Sequence, residues 1–197
     1  MTIEKSGSTT RRSVLLGGSA AALGGMGDAL AQVTRAADTF ERQEIIREAS
    51  GLFGGASQAL ADIIEKVFRE QGRPNAYIAG REASGAVGIG LRYGDGDLVF
   101  KRAGRSKIYW QGPSIGFDFG GNASKVFTLV YNARNRQSMY QRFPGVDGSV
   151  YVVAGFGMNY QRSGDITLAP IRTGVGLRAG VNVGYLHYSA SGSWLPF

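Results

Sequence analysis

The sequence predicts a mainly β fold with an N-terminal helix (α+β), namely a small, strongly curved, antiparallel and Gly-rich β-barrel. Three observations predict it. A helical apolar pattern precedes Pro74, the pattern changes to alternation from Tyr77 onward, and 31 of the 197 residues are glycines without a collagen period. The hydrophobic content of 43% excludes a disordered chain.

The first helix is predicted over residues 38–50 and an interruption over the glycine-containing residues 51–55. The second begins after Ser57, a residue typical of an N-cap, and ends before Gly72. Its apolar residues recur at helical spacing and are Leu60, Ile63, Ile64, Val67 and Phe68. A stripe of this kind predicts a helix that packs on a core, because its polar side carries charges of both signs.

Successive strands are predicted after the helices, with turns at residues 94–96, 112–113 and 164–165 and a short helix at 135–141. The predicted strands cover residues 75–82, 84–93, 97–103, 106–111, 114–120, 124–132, 149–162, 165–178 and 180–190.

Glycines two residues apart occur in several of these strands and would share one face of the sheet. The pairs are Gly88 and Gly90, Gly116 and Gly120, Gly155 and Gly157, Gly174 and Gly176, and Gly180 and Gly184. A face without side chains predicts close approach of an opposite barrel wall or of a ligand.

The N-terminus predicts export by the twin-arginine route to the periplasm. Arg11 and Arg12 follow a hydroxyl residue and precede a mildly apolar stretch at 14–26, and the small residues of 29–31 predict cleavage after Ala31. A chance Arg-Arg pair in a cytoplasmic protein and an uncleaved anchor are the alternatives. No stretch is apolar enough for a transmembrane span in the mature chain.

Three parts of the chain are predicted: a twin-arginine signal peptide at 1–31, a helical N-terminal segment that packs on the barrel at 32–74, and the β-barrel domain at 75–197. The formal charge is +7 for the whole chain and +6 without the signal. Residues 81–197 hold 13 basic and 6 acidic residues and so carry the whole excess. The exported part of the chain is therefore basic.

Three segments of the barrel part resemble the alphaproteobacterial envelope-integrity (EipA-like) periplasmic protein family: Gly85–Gly94, Trp110–Gly116 and Val126–Asn132. The resemblance extends from about Thr39 to Phe197. It implies an exported β-barrel that supports resistance of the cell envelope to stress, without an established biochemical activity. A looser resemblance to SYLF domains implies binding of acidic lipids. These shared residues are packing and turn residues, so no catalytic residue follows from them.

An enzyme is not predicted, and neither a metal nor a cofactor. The chain lacks cysteine and has one histidine, His187, which leaves too few ligands for a thiolate or histidine metal site. The alternatives are a purely structural envelope scaffold and a serine hydrolase. The hydrolase would use Ser114, in a Gly-x-Ser-x-Gly pattern, with His187 and either Asp147 or Asp165. That nucleophile elbow needs a helix after the serine, whereas the residues after Ser114 predict a strand.

Two further patterns are better explained by a structural role than by ligand binding or catalysis. Residues 174–179 match the dinucleotide fingerprint, but they lie between predicted strands and not at the start of a helix. Asp118 is flanked by glycines on its own face, and a carboxylate that points into the barrel would need a buried partner such as an arginine.

A basic and aromatic surface set in the barrel part is the candidate binding site for lipid or other anions. It comprises Arg92, Lys101, Arg102, Arg105, Lys107, Tyr109, Trp110, Arg134, Arg136, Arg142 and Arg172. Arginines with aromatic neighbours suit anionic lipid or lipopolysaccharide headgroups, and an envelope protein is a further possible partner. Nucleic acid is not expected as a partner because of the export signal, and generic solubility of a basic domain is the alternative.

Overall fold

The structure is a computed structural model of the 197-residue chain. It describes residues 37–116, 124–173 and 184–192, without the side chains of residues 84–90 and 114–116. The predicted export signal, Asp118 and the fingerprint at 174–179 lie outside these residues.

Two helices come first, α1 (Arg42–Phe53) and α2 (Gln58–Gln71). The start of the interruption predicted at residues 51–55 is wrong. The first helix runs through Phe53 and ends at Gly54, whose φ of 90° is a left-handed conformation that costs glycine little. Ser57 is the N-cap of α2 as predicted, because its hydroxyl accepts a hydrogen bond from the N–H of Leu60 at 3.2 Å.

Nine strands follow in the part of the chain that the structure describes. They are β1 (Ala76–Phe100), β2 (Gly104–Gly116), β3 (Ser124–Tyr131), β4 (Arg142–Pro144), β5 (Tyr151–Val153), β6 (Phe156–Met158), β7 (Gln161–Ser163), β8 (Ile166–Thr173) and β9 (Tyr185–Ser189). All paired strands are antiparallel, in the order β4-β9-β2-β1-β3-β8-β6-β5, and β7 pairs with β8. Gly145, next to β4 at one end of the sheet, forms a β-bridge with Gln161 in β7, which pairs with β8 near the other end. The sheet therefore curls back on itself. The sheet is a curled antiparallel half-barrel, and the predicted fold class is confirmed.

β1 is one continuous strand of 25 residues where the sequence predicts three strands. Its residues 76–82 pair with β3, and its residues 88–100 pair with β2. The turn predicted at residues 94–96 is therefore wrong, since Gly94 lies opposite Trp110 in the middle of this pairing. Residues 112–113 likewise belong to β2 and form no turn.

Glycines without a side chain let two distant parts of β1 touch. A Cβ atom on Gly80 would lie 2.3 Å from the carbonyl oxygen of Asp95 and 2.8 Å from the Cα of Gly96. A Cβ on Gly94 would lie 2.1 Å from the indole of Trp110. Close approach of one wall to another is thus the role of glycine at Gly80 and Gly94, which are not among the predicted pairs.

The strand predicted at 149–162 is instead three short strands, β5 to β7. Ala154 and Gly155 have φ of 43° and 83° and form the turn between β5 and β6, so Gly155 and Gly157 do not share one strand. The short helix predicted at 135–141 is a single 3₁₀ turn, Gln137–Met139.

The sheet buries an apolar core on each of its faces. On one face, both helices pack on residues of β1, β3, β6 and β8, with Ile45, Ile63 and Phe127 fully buried. The other, concave face encloses a second core that includes Ile78 and Tyr188. Burial of each large apolar side chain contributes about 1.5–3 kcal/mol, so both faces stabilise the fold.

Candidate functional site

The serine hydrolase alternative depends on the backbone at Ser114. This residue lies within β2, opposite Gly90, and the strand continues through Gly116. His187 in β9 lies opposite Gln111. Gln111 and Ser114 are three positions apart in β2, a distance of about 10 Å along the strand. The backbone at Ser114 therefore lacks the strand-to-helix elbow of a hydrolase nucleophile. The backbones of Ser114 and His187 also do not lie at neighbouring positions of the sheet.

A buried ionic cluster lies where β1, β2 and β8 face the concave side, and it consists of Glu82, Arg92, Trp110 and Arg172. The Nε of Arg172 donates to Oε1 of Glu82 at 3.0 Å, and the indole N–H of Trp110 donates to Oε2 at 2.9 Å. The Nε of Arg92 lies 3.2 Å from Oε1. Arg172 also donates from Nη1 to Oδ1 of Asn159 at 3.0 Å.

The cluster keeps Glu82 ionised at neutral pH. Burial raises the pKa of this carboxyl, but the charges of Arg172 and Arg92 together with the Trp110 hydrogen bond outweigh burial and hold the pKa below its usual value of 4.5. Trp110 and Arg172 from two other strands, together with Arg92, occupy both oxygens of this buried carboxylate. The arrangement suits the cross-linking of strands.

This cluster corrects the predicted surface set. Arg92, Trp110 and Arg172 are 8%, 3% and 7% exposed, so their predicted position on the surface is wrong. The physical reason is a carboxylate whose two oxygens are already bound by these three side chains.

The cations of the hairpin between β1 and β2 lie at the surface but face carboxylates. Lys101 donates to Glu44 at 2.6 Å and lies over the ring of Phe40. Lys107 lies 3.0 Å from Asp97. The remaining two pairs are Arg102 with Asp38 and Arg105 with Asp97. Much of the positive charge at this hairpin is therefore balanced within the protein.

Three arginines between β3 and the end of β4 differ from the hairpin cations. Arg134, Arg136 and Arg142 are exposed. None of them lies within 4.0 Å of a carboxylate in the described ranges. The guanidinium of Arg142 lies 5.0 Å above the ring of Tyr185. Of the predicted set, these three arginines are therefore the cations best placed to bind an anionic ligand, because no carboxylate of the described ranges neutralises their charge.

The register of β1, β2, β9 and β4 places polar and aromatic side chains side by side on the face opposite to the Trp110 side chain. Across the strands, one row is Tyr93, Gln111, His187 and Arg142, and the next row is Asp95, Tyr109 and Ser189. We call these seven residues the polar–aromatic face. Tyr93, Tyr109, His187 and Ser189 are partly exposed, and Asp95 and Arg142 are exposed.

A cleft of about 490 Å³ opens on this face, within the size range of small-molecule sites. Its lining includes Tyr93, Tyr109, Gln111 and Ser189 from the polar–aromatic face. The lining also includes Trp110 and Glu82 of the ionic cluster. The cleft thus combines aromatic rings with both hydrogen-bond donors and hydrogen-bond acceptors.

Sequence reasoning identified Tyr109 and Trp110 in this region but missed Glu82, Tyr93 and Gln111. For Glu82 a signal was present. It is two residues from Gly80 and four from Ile78, so alternation places it on the buried face, where an acidic side chain needs a cationic partner. For Tyr93 and Gln111 the signal was hidden, because their proximity depends on the strand register.

In the described parts of the chain, no helix is both long and apolar enough to cross a bilayer. The profile of the family Envelope integrity protein A matches residues 38–197. A crystal structure of a beta-barrel-like, uncharacterized protein from Brucella abortus is similar, at 49% identity and a TM-score of 0.74. The match covers 81% of this chain and 99% of that chain. A search of curated proteins finds no match.

Proposed function

This chain belongs to the Envelope integrity protein A family, and from that premise we propose that it is a non-catalytic periplasmic protein that supports the cell envelope by binding acidic lipid or lipopolysaccharide headgroups. The proposal includes export by the twin-arginine route through Arg11 and Arg12 and cleavage after Ala31. The mature chain would then comprise the helical segment at 32–74 and the barrel domain at 75–197.

The observation that carries headgroup binding is the absence of carboxylate partners at Arg134, Arg136 and Arg142 in the described residues. Guanidinium groups without an internal counterion can form two parallel hydrogen bonds with a phosphate. The contact between Arg142 and Tyr185 fixes one of these groups beside an aromatic ring, a side chain that favours membrane interfaces. The looser resemblance to SYLF domains supports the same class of ligand.

Vesicle flotation tests this proposal. The purified mature protein is floated with vesicles of phosphatidylcholine alone, with vesicles that contain phosphatidylglycerol, and with vesicles that contain lipid A. We expect binding to the two anionic kinds and a strong decrease in binding as the salt concentration rises.

Two triple variants separate the two groups of cations. Arg134→Gln/Arg136→Gln/Arg142→Gln should lose most of the binding to anionic vesicles. Arg102→Gln/Arg105→Gln/Lys107→Gln removes the same charge from the hairpin and should retain it, because those cations face carboxylates. Equal losses would show non-specific attraction to a basic protein. Lack of binding by the unmodified protein would contradict headgroup recognition and favour a scaffold or an envelope protein as partner.

The proposed absence of catalysis is supported by the backbone at Ser114 and by the contacts of Glu82. The first lacks the turn that exposes a nucleophile, and both carboxylate oxygens of the second are bound by buried side chains. Support of the envelope by binding is therefore the function that this geometry favours.

A further inference from the structure

We propose that the polar–aromatic face is a saccharide-binding site, which takes a segment of an envelope glycan across β1, β2 and β9. The inference goes beyond headgroup binding, because most of the side chains that it uses are not the three arginines considered above.

The arrangement of four residues carries the inference. Tyr93 lies opposite Gln111, and Asp95 lies opposite Tyr109 in the adjacent pair on the same face. The two tyrosines are therefore diagonal neighbours, about 7–8 Å apart at the backbone. Tyr93 therefore has Asp95 as its neighbour along β1 and Gln111 as its neighbour across the strands. For Tyr109, Gln111 is the neighbour along β2 and Asp95 the neighbour across the strands.

A sugar ring matches this alternation. Its axial C–H groups form an apolar face that packs on an aromatic ring, and its rim carries hydroxyls that both donate and accept hydrogen bonds. Neighbouring hydroxyls can be bound in pairs by an exposed carboxylate such as that of Asp95. The side chain of Gln111 is buried. Arg81, at the border of the cleft, and Ser189 add a donor and a hydroxyl to the same opening.

Other ligand classes fit the cleft less well. A phosphate-rich ligand would meet the carboxylate of Asp95, which is exposed at the cleft. A peptide that adds a strand needs a free sheet edge. Both β2 and β9 are paired on their two sides, since β2 lies between β1 and β9, and β9 lies between β2 and β4. The surface is thus a face and not an edge, as in the barrels that bind oligosaccharides on exposed strands.

The tryptophan at the base of the cleft provides a direct measurement. The chain has two tryptophans, Trp110 and Trp194, so Trp194→Phe leaves Trp110 as the only indole. The probes are deacylated lipopolysaccharide and peptidoglycan sacculi, both from the bacterium that produces this protein. Neither probe contains a bilayer, so their binding is distinct from flotation with vesicles.

We expect deacylated lipopolysaccharide to change the emission of Trp110, or sacculi to sediment the protein, and the arm that responds identifies the glycan. Tyr109→Ala should weaken that binding about ten-fold or more. Tyr151→Ala is the matched control, because Tyr151 is a partly buried strand tyrosine of β5, away from the cleft. Asp95→Ala changes an exposed side chain and serves as the second site variant if Tyr109→Ala fails to fold.

Two results would overturn the inference: no response of the unmodified protein to either polymer, or equal binding by the site variants and the Tyr151→Ala control. Vesicle binding that persists without glycan binding would reject this inference alone and leave the headgroup proposal intact. Binding of sacculi without vesicle binding would reject the headgroup proposal and leave this inference intact. Deacylated lipopolysaccharide keeps the phosphorylated headgroup sugars, so a response to it supports this inference when Tyr109→Ala weakens it and Arg134→Gln/Arg136→Gln does not. The opposite pattern would assign the response to the headgroup and overturn this inference.

Discussion

Glu82 and Arg172 are 90 positions apart in the sequence and 3.0 Å apart in the structure, where the arginine Nε donates to the carboxylate. Glu82 lies in β1 and Arg172 in β8, and β3 runs between these two strands. The pair therefore links two strands that have no hydrogen bonds with each other in the described register. Because both side chains are buried, the loss of either partner should destabilise the protein strongly.

Replacement of Glu82 by Gln should lower the free energy of unfolding by about 3–5 kcal/mol, because two buried arginines would lose their counterion. Urea unfolding followed by tryptophan fluorescence measures the change. Glu44→Gln is the control: it removes a partly exposed carboxylate from Lys101 and should cost less than about 1 kcal/mol. Equal losses in the two variants would contradict the central role of the cluster.

The effect of Glu82 on stability should depend on pH. Its pKa is lower in the folded protein than the usual 4.5, so the folded state is stabilised by its ionisation above pH 4.5 and loses this stabilisation as the pH falls through the folded pKa. The pKa values of Glu44 and Glu70 are also lowered, so the unmodified protein and Glu82→Gln should both lose stability in acid. The difference between their unfolding free energies should shrink from pH 7 to pH 3. A difference independent of pH would show that Glu82 is not the titrating group.

Gly80→Ala should destabilise the protein by about 1–3 kcal/mol, since the new Cβ would lie 2.3 Å from the Asp95 carbonyl oxygen, a backbone atom that cannot rotate away. Gly51→Ala should have the opposite sign and stabilise by about 0.5–1 kcal/mol, because that glycine is in α1 with no atom near its Cβ position. Thermal unfolding of both variants measures this contrast. Tolerance of Gly80→Ala would mean that the two parts of β1 do not touch in solution.

Ser114→Ala should leave envelope function unchanged, and the unmodified protein should not react with a fluorophosphonate probe, because the backbone at Ser114 is extended strand. Complementation of a deletion strain under detergent stress measures the first outcome, and gel fluorescence after labelling measures the second. Labelling that disappears in Ser114→Ala would restore the hydrolase alternative.

Arg11→Lys/Arg12→Lys should retain the protein in the cytoplasm, since the twin-arginine route reads that pair. Cell fractionation and intact-mass analysis measure the outcome, and the periplasmic form of the unmodified protein should begin at Gln32. Arg35→Lys lies beyond the predicted cleavage point and should not alter export. Export of the double-lysine variant would contradict the twin-arginine assignment.

Local signals in the sequence were sufficient for the bounds of α2 and for the fold class. Ser57 is the predicted N-cap and Gly72 the predicted end of α2, because capping and helix termination depend on neighbouring residues. The change to alternation after the helices likewise indicated a sheet, since side chains alternate between the two faces of any strand.

Tertiary contacts account for the errors. Residues 94–96 have turn composition, yet they belong to β1, because the indole of Trp110 and the backbone near Gly80 occupy the space where side chains would be. Arg92 and Arg172 look like surface cations until the register brings Glu82 to them. The neighbours on the polar–aromatic face, such as Tyr93 and Gln111, were hidden for the same reason. Contacts between distant strands are not encoded in local patterns.

The shared use of β1 by two partners has a consequence for how the chain reaches its native state. β3 pairs with the first part of this strand and β2 with the second, so the two halves of the sheet are joined through one continuous backbone. Most other pairings also join distant positions, such as Trp110 with Tyr188. Folding should be all-or-none and slow for a domain of this size, on the order of milliseconds to seconds, because loops must close before these contacts form.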